Sequence, residues 1–223
     1  MLDFVRVACA VPDVRVGDPL QNARKHCVIL EKADAKKADI LVFPELSLTG
    51  YTCQDLFFQD SLNDAALAGL GRILNCSRLH PDVVAVVGLP VRLGCRMFNC
   101  AAVLSGGMFH GLVPKTYIPN YHEFYEKRWF SSGEDLHENQ ALLQIPGMPA
   151  QTVPVLPKAL FALADGTAFG VEICEDLWTP IPPSSILALS GAEVIVNLSA
   201  SNETIGKRAY RRELVTHQSA AAA

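Results

Sequence analysis

Three segments of the chain end an apolar, strand-like run on a residue that can do chemistry. Ile40-Leu41-Val42-Phe43-Pro44 runs into Glu45, Leu112-Val113-Pro114 into Lys115, and Phe169-Gly170-Val171-Glu172-Ile173 into Cys174. Strand ends are where α/β proteins collect their reacting groups. A carboxylate, an ammonium and a thiol together supply a base, a cation and a nucleophile. Only the thiolate attacks, and a free cysteine has a pKa of roughly 8.5. Glu172, Glu175 and Asp176 flank Cys174 and, if close, raise that value and hold the thiol protonated. Such a site needs a base during the attack, for which Glu45 is suited. It also needs a cation for the developing charge, and Lys115 fits an oxyanion of a tetrahedral intermediate. The chemistry is acyl transfer through a thioester, without histidine. Taken singly, each residue has a plainer reading: a packing thiol, a strand-end surface carboxylate, a solvated lysine. Only the three together point to catalysis.

Other chemistries find less support. His26, His80, His110, His122, His137 and His217 show no metal-ligand spacing with one another or with cysteine, so no metal site is expected. No P-loop and no GxGxxG is present, and Gly106-Gly107 reads as a turn. The chain has 223 residues, half of them apolar, and a net charge of −4. That is enough for one sizeable core and gives no electrostatic support to nucleic-acid binding. The short cluster Lys207, Arg208, Arg211 and Arg212 reads as a solvated helix face. The N-terminus does not read as a signal peptide, and no apolar stretch approaches the ~20 residues of a membrane span. Seven cysteines, an odd number without a CxxC, fit reduced thiols in a cytoplasmic protein, most of them small buried hydrophobes.

The elements that must position these groups can be read in order. Val5 to Val11 is a strand, and Asp18-Pro19 caps a helix running to about Lys37. Ile40 to Phe43 is a short buried strand. A helix starts near Asp60, with Leu62, Ala66, Leu70, Ile73 and Leu74 on one face, and Val83 to Val87 is a strand. Asn99 to Leu104 and Met108 to Val113 flank a turn, as do Leu160 to Leu163 and Thr167 to Ile173. Residues 116–158 between the hairpins read as a long, weakly periodic loop, a length usually kept for function. A short helix after Pro182-Pro183, a strand from Val194 to Leu198 and a helix from Lys207 follow. This alternation with hairpins predicts an α/β layered fold with a mixed sheet and no internal domain boundary.

At these residues the chain resembles the nitrilase (carbon–nitrogen hydrolase) superfamily, whose Glu-Lys-Cys triad matches Glu45, Lys115 and Cys174. Within it, the chain is similar to the amidotransferase domain of glutamine-dependent NAD synthetases. The narrower resemblance is carried by Pro44-Glu45-Leu46-Ser47-Leu48-Thr49-Gly50-Tyr51-Thr52, Lys115-Thr116-Tyr117-Ile118-Pro119-Asn120-Tyr121 and Cys174-Glu175-Asp176-Leu177-Trp178. It implies an αββα sandwich with mixed sheets, here lacking its C-terminal strands, with residues 1–223 forming one incomplete glutaminase domain. It further implies Glu45 as general base, Lys115 as stabiliser of the tetrahedral intermediate, and Cys174 as the residue that forms the γ-glutamyl thioester. Glu126 is implied as an additional glutamate that positions the lysine or the water, with Glu123 the alternative. Tyr51, Tyr121, Phe124, Glu175 and Ser201 fall where the family holds glutamine. Lys207 falls where a basic residue meets the substrate carboxylate, although lysine lacks the bidentate fork of arginine. The family domain self-associates and uses no cofactor; ATP and magnesium serve a synthetase domain that this chain does not contain. The expected function is glutamine hydrolysis supplying ammonia for amidation of deamido-NAD. The alternatives are a stand-alone amidase acting on another small amide, and a non-catalytic regulatory domain. Absent closing strands would leave sheet edges unpaired, predicting poor solubility of this length of chain alone.

Overall fold

In a computed structural model, which describes residues 4–222, the chain folds into stacked layers of helix and sheet. The first sheet has five strands in sequence order. They are β1 (Val7–Cys9), β2 (Ile40–Val42), β3 (Val84–Leu93), β4 (Arg96–Ser105) and β5 (Met108–Pro114). The first three run parallel and the last two antiparallel, so β2, β3 and β5 point the same way. β6 (Gln140–Leu143) and β7 (Gln151–Pro154) form a small hairpin. β8 (Leu160–Ala162), β9 (Ala168–Ile173) and β10 (Val194–Leu198) form a second sheet, with β9 central and parallel to β10.

α1 (Pro19–Ala35) and α2 (Asp60–Ser77) cover one face of the first sheet. Asp18 caps α1 as expected, its carboxylate accepting from the backbone of Gln21. α1 buries Ala23, His26, Leu30 and Ala33, spaced three or four apart as one helical face requires. The opposite face of the sheet meets the second sheet. Ile40, Val42, Val86, Ala101, Val103 and Val113 pack there against Phe169, Val171, Ile173, Val196 and Leu198. On the outer face of the second sheet lies α3 (Pro183–Leu189), whose Leu187 packs where Gly170 leaves room. α4 (Lys207–Ala221) reaches α3 through a Gln218–Ser185 hydrogen bond and buries no residue, in keeping with a solvated basic face. The order helix, sheet, sheet, helix is the αββα sandwich that the resemblance implies.

Three expectations need correction. β3 and β4 are ten residues each and make one long hairpin, where the sequence suggested shorter strands; Gly88 and Pro90 masked the pattern. The segment 116–158 is not a featureless loop. It contains two single-turn 3-10 helices, Glu126–Arg128 and Gly133–Asp135, and the β6–β7 hairpin, which buries Leu143, Ile145, Val153 and Val155 against the helix-side core. The thiols are less uniformly buried than expected: Cys53, Cys100 and Cys174 are buried, Cys9 and Cys95 are exposed, and Cys27 and Cys76 are half-buried.

Candidate active site

β2 and β5 end at the same edge of the first sheet, which places Glu45 and Lys115 side by side. Lys115 is fully buried. Its Nζ donates to Glu45 Oε1 at 2.7 Å and to both oxygens of Glu126 at 2.9 Å. Burial alone would lower the lysine pKa, but the charges of Glu45 and Glu126 outweigh it and hold the group above its ordinary value. The plainer readings of Glu45 as a surface carboxylate and Lys115 as solvated are therefore wrong. Glu45 is further fixed by Asn99, whose Nδ2 donates to Oε1 at 2.8 Å, and by the backbone of Ala200, which donates to Oε2 at 3.0 Å. Asn99 lies on β4 in the alternation that faces the second sheet, with Ala101 and Val103.

The turn that carries Glu45 is tight. Leu46 has φ +50°, and a Cβ on Gly88 would lie 2.5 Å from both Leu46 N and Pro44 O. Glycine is required there because two backbones touch. Behind the turn, His26 of α1 donates from Nδ1 to the Asn22 carbonyl at 2.7 Å, leaving Nε2 to accept from the Ser47 hydroxyl at 2.9 Å.

Cys174 follows β9 directly. Its φ is +47°, a left-handed conformation rarely held by a residue with a side chain. Ser199, just past β10, directs its hydroxyl at Sγ at 3.4 Å. Burial pushes the thiol pKa up to about 12, and the charge of Glu45 adds to this while Lys115 opposes it. Protonation of the thiol was expected, but its cause is corrected. Along β9, Phe169, Val171 and Ile173 face the sheet interface, so Glu172 faces outward. There it accepts from the backbone of Ser184 at 2.9 Å and from Asn197 at 3.1 Å. Asp176 also turns away. It accepts the backbone N–H groups of Ile173 at 2.9 Å, Tyr117 at 2.8 Å and Thr116 at 3.1 Å, tying the Cys174 turn to the segment after Lys115.

A cavity of about 330 Å³ opens over Cys174. Tyr121, Phe124, Glu175, Ser201 and Lys207 all line it, as does Trp178, so five of the six expected binding residues come together with the thiol. Tyr121 donates its hydroxyl to Glu175 at 2.8 Å, and burial followed by that bond pushes its pKa up to about 12. Lys207 Nζ sits 5.7 Å from the ring centre of Phe124 and 5.2 Å from that of Trp178, bonded to Asn202. Tyr51 does not line this cavity. Its hydroxyl donates to Glu126 Oε1 at 2.6 Å, so it holds the carboxylate that holds Lys115. Glu126 is buried against Lys115, whereas its alternative Glu123 is exposed on the cavity rim. Asn99, Ser199, Asn197 and the Ala200 backbone were not identified in the sequence. Only strand alternation could have pointed to Asn99 and Asn197.

A family model described as Carbon-nitrogen hydrolase matches residues 6–223. The chain belongs to the carbon–nitrogen hydrolase family. Among curated relatives, it is 39% identical to a glutamine-dependent NAD(+) synthetase of Mycobacterium leprae over 95% of this chain and 30% of that protein. It is 40% identical to the Mycobacterium bovis protein of the same name, over 97% of this chain and 31% of that one. The chain thus spans about a third of the length of these relatives. Among solved structures, the glutamine-dependent NAD(+) synthetase from Cytophaga hutchinsonii superposes with a TM-score of 0.80 at 26% identity, over 97% of this chain and 34% of that one. An amidase from Nesterenkonia sp. superposes at 0.70 with 18% identity, covering 96% of this chain and 71% of that one; it shares the fold. Among the described residues, no helix is long and apolar enough to cross a membrane.

Proposed function

We propose that this carbon–nitrogen hydrolase chain is a glutaminase. It would cleave the side-chain amide of glutamine through a thioester on Cys174 and supply ammonia for ATP-dependent amidation of deamido-NAD in a longer enzyme. The observation that carries this reading is the buried Glu45–Lys115–Glu126 cluster set against a thiol held at positive φ. The curated relatives supply the substrate. In this reading residues 1–223 are one nitrilase-like unit that works with a synthetase domain, and copies of the protein self-associate. The hydrolysis uses no cofactor; ATP and magnesium belong to the amidation.

The steps balance without histidine. Glu45 accepts the Cys174 proton as Sγ bonds to the amide carbon, and Lys115 faces the oxyanion that forms. The proton then passes to the departing nitrogen, the C–N bond breaks, and ammonia leaves a γ-glutamyl thioester. Water, deprotonated by Glu45, attacks the thioester carbon; the C–S bond breaks, Glu45 returns the proton to Sγ of Cys174, and glutamate leaves. Because the thiol pKa lies near 12, removal of its proton must accompany attack. Glu126 positions Lys115, and Lys207, set among Phe124, Trp178 and Asn202, is suited to the substrate carboxylate.

A panel of small amides tests the reading against a stand-alone amidase of other specificity. Ammonia release by the full-length protein is expected from glutamine and lost in Cys174→Ala. Inert glutamine with rapid cleavage of another amide would overturn the assignment of substrate.

A further inference from the structure

Glu172 and Asn197 stand opposite each other in the parallel register of β9 and β10, on the face away from the thiol. Glu172 is buried, with 2% of its surface exposed. Their bonds form a chain. The backbone N–H of Ser184 donates to Glu172 Oε2 at 2.9 Å, and Asn197 Nδ2 donates to Glu172 Oε1 at 3.1 Å. The backbone N–H of Cys174 then donates to Asn197 Oδ1 at 3.2 Å. The Asn197 amide also reaches the Cys174 carbonyl at 3.5 Å. Only one orientation of that amide satisfies its neighbours, because the carboxylate of Glu172 can only accept. The residue so gripped has φ +47°, a conformation that persists only where its surroundings enforce it.

We propose that Glu172 and Asn197 form a positioning pair, in which the carboxylate fixes the amide and the amide fixes the left-handed backbone of Cys174, thereby aiming its thiol. This rests on the reading of Cys174 as the nucleophile. Neither residue touches substrate, and neither takes part in proton transfer.

A donor–acceptor exchange in the full-length protein tests the pair. It is read by glutamine turnover and by the rate of Cys174 alkylation with iodoacetamide, located by peptide mass. Glu172→Gln sets one amide against another, so that one N–H must face an N–H. Asn197→Asp sets two carboxylates at the present 3.1 Å spacing. Each single variant is expected to lower both kcat and the alkylation rate by about tenfold or more, with KM within about twofold. The Glu172→Gln/Asn197→Asp double variant gives every donor an acceptor again and keeps the charge. It is expected to exceed both single variants by at least about threefold in both readouts, a coupling that independent sites do not show. A double variant no better than Glu172→Gln overturns the proposal, as does one that does not fold, or a loss carried in KM with alkylation unchanged. Should Asn197→Asp alone fail to fold, Glu172→Gln with and without the second change still decides. If the wild-type protein leaves glutamine untouched, the substrate reading fails while the alkylation rates still judge the pair.

Discussion

Lys115 makes ion pairs with two carboxylates and is fully removed from solvent. A buried ion pair broken from one side leaves an uncompensated charge, which costs about 3–5 kcal/mol. Lys115→Met leaves Glu45 and Glu126 facing each other, so it should lower unfolding stability by roughly that amount as well as abolish turnover; urea denaturation measures the first effect. Glu126→Gln keeps the shape but loses one charge, and about a hundredfold fall in kcat with little change in KM is expected. Tyr51→Phe removes one neutral donor and should cost about tenfold or less. A larger fall in kcat for Tyr51→Phe than for Glu126→Gln in steady-state kinetics would contradict this order. The triad was legible because each member follows a strand-like run. Glu126 was legible only through the family resemblance, since nothing in Tyr125-Glu126-Lys127 marks a residue that will be buried beside a lysine eleven positions earlier. Asn99 escaped because its role depends on which face of a strand it occupies, and Tyr51 was named for the wrong role, holding glutamine, because its bond to Glu126 depends on how two distant turns meet.

The turns that follow β2 and β9 are conformations that few sequences hold. Gly88 on β3 lets the Glu45 turn lie directly against the sheet. Gly88→Ala drives a methyl into backbone atoms 2.5 Å away and should destabilise the protein by about 3 kcal/mol or more, with loss of activity. A melting temperature unchanged in that variant would show that the turn has slack. Asp176 binds three backbone N–H groups from two segments, and an amide in its place offers one acceptor oxygen. Asp176→Asn should therefore lower kcat by about tenfold or more while leaving the α1 and α2 side of the core intact, a contrast that amide hydrogen exchange can follow. Period-two alternation along Phe169 to Ile173 puts Glu172 on the face that Cys174 would continue, so the view that Glu172 raises the thiol pKa followed from the sequence; it fails because the left-handed backbone of Cys174 breaks the alternation and turns the thiol to the sheet interface. The β6–β7 hairpin was not readable. Its strands are four residues long and its buried side chains pack on β5 and α2, far away in the chain.

The layers of the molecule meet at one edge, where the ends of β2, β5, β9 and β10 converge on the thiol, and α1 braces this edge from outside through His26 and Ser47. Burial lowers the His26 pKa to about 4, against 6.5 in the ordinary state. A histidine whose folded pKa is lowered contributes its full stability above the unfolded value and loses it as pH falls toward the folded one. The stability advantage of wild type over His26→Gln should thus be greatest above pH 6.5 and shrink by up to ~3 kcal/mol by pH 4. Comparing the two proteins isolates His26 from the opposing trend of Asp176, whose pKa burial pushes up to about 7. A gap independent of pH would mean that folding leaves the His26 pKa unchanged. The order of helices and sheets was legible from hydrophobic period, while the convergence of four strand ends from two sheets was not, because it depends on how the sheets stack. The most direct test of the central claim is peptide mass spectrometry of the full-length protein treated with a diazoketone analogue of glutamine, an electrophile that a nucleophilic thiolate traps irreversibly. One adduct per chain is expected on the peptide carrying Cys174, prevented by excess glutamine and absent from Cys174→Ala. Labelling of the exposed Cys9 or Cys95 with Cys174 left free would contradict it.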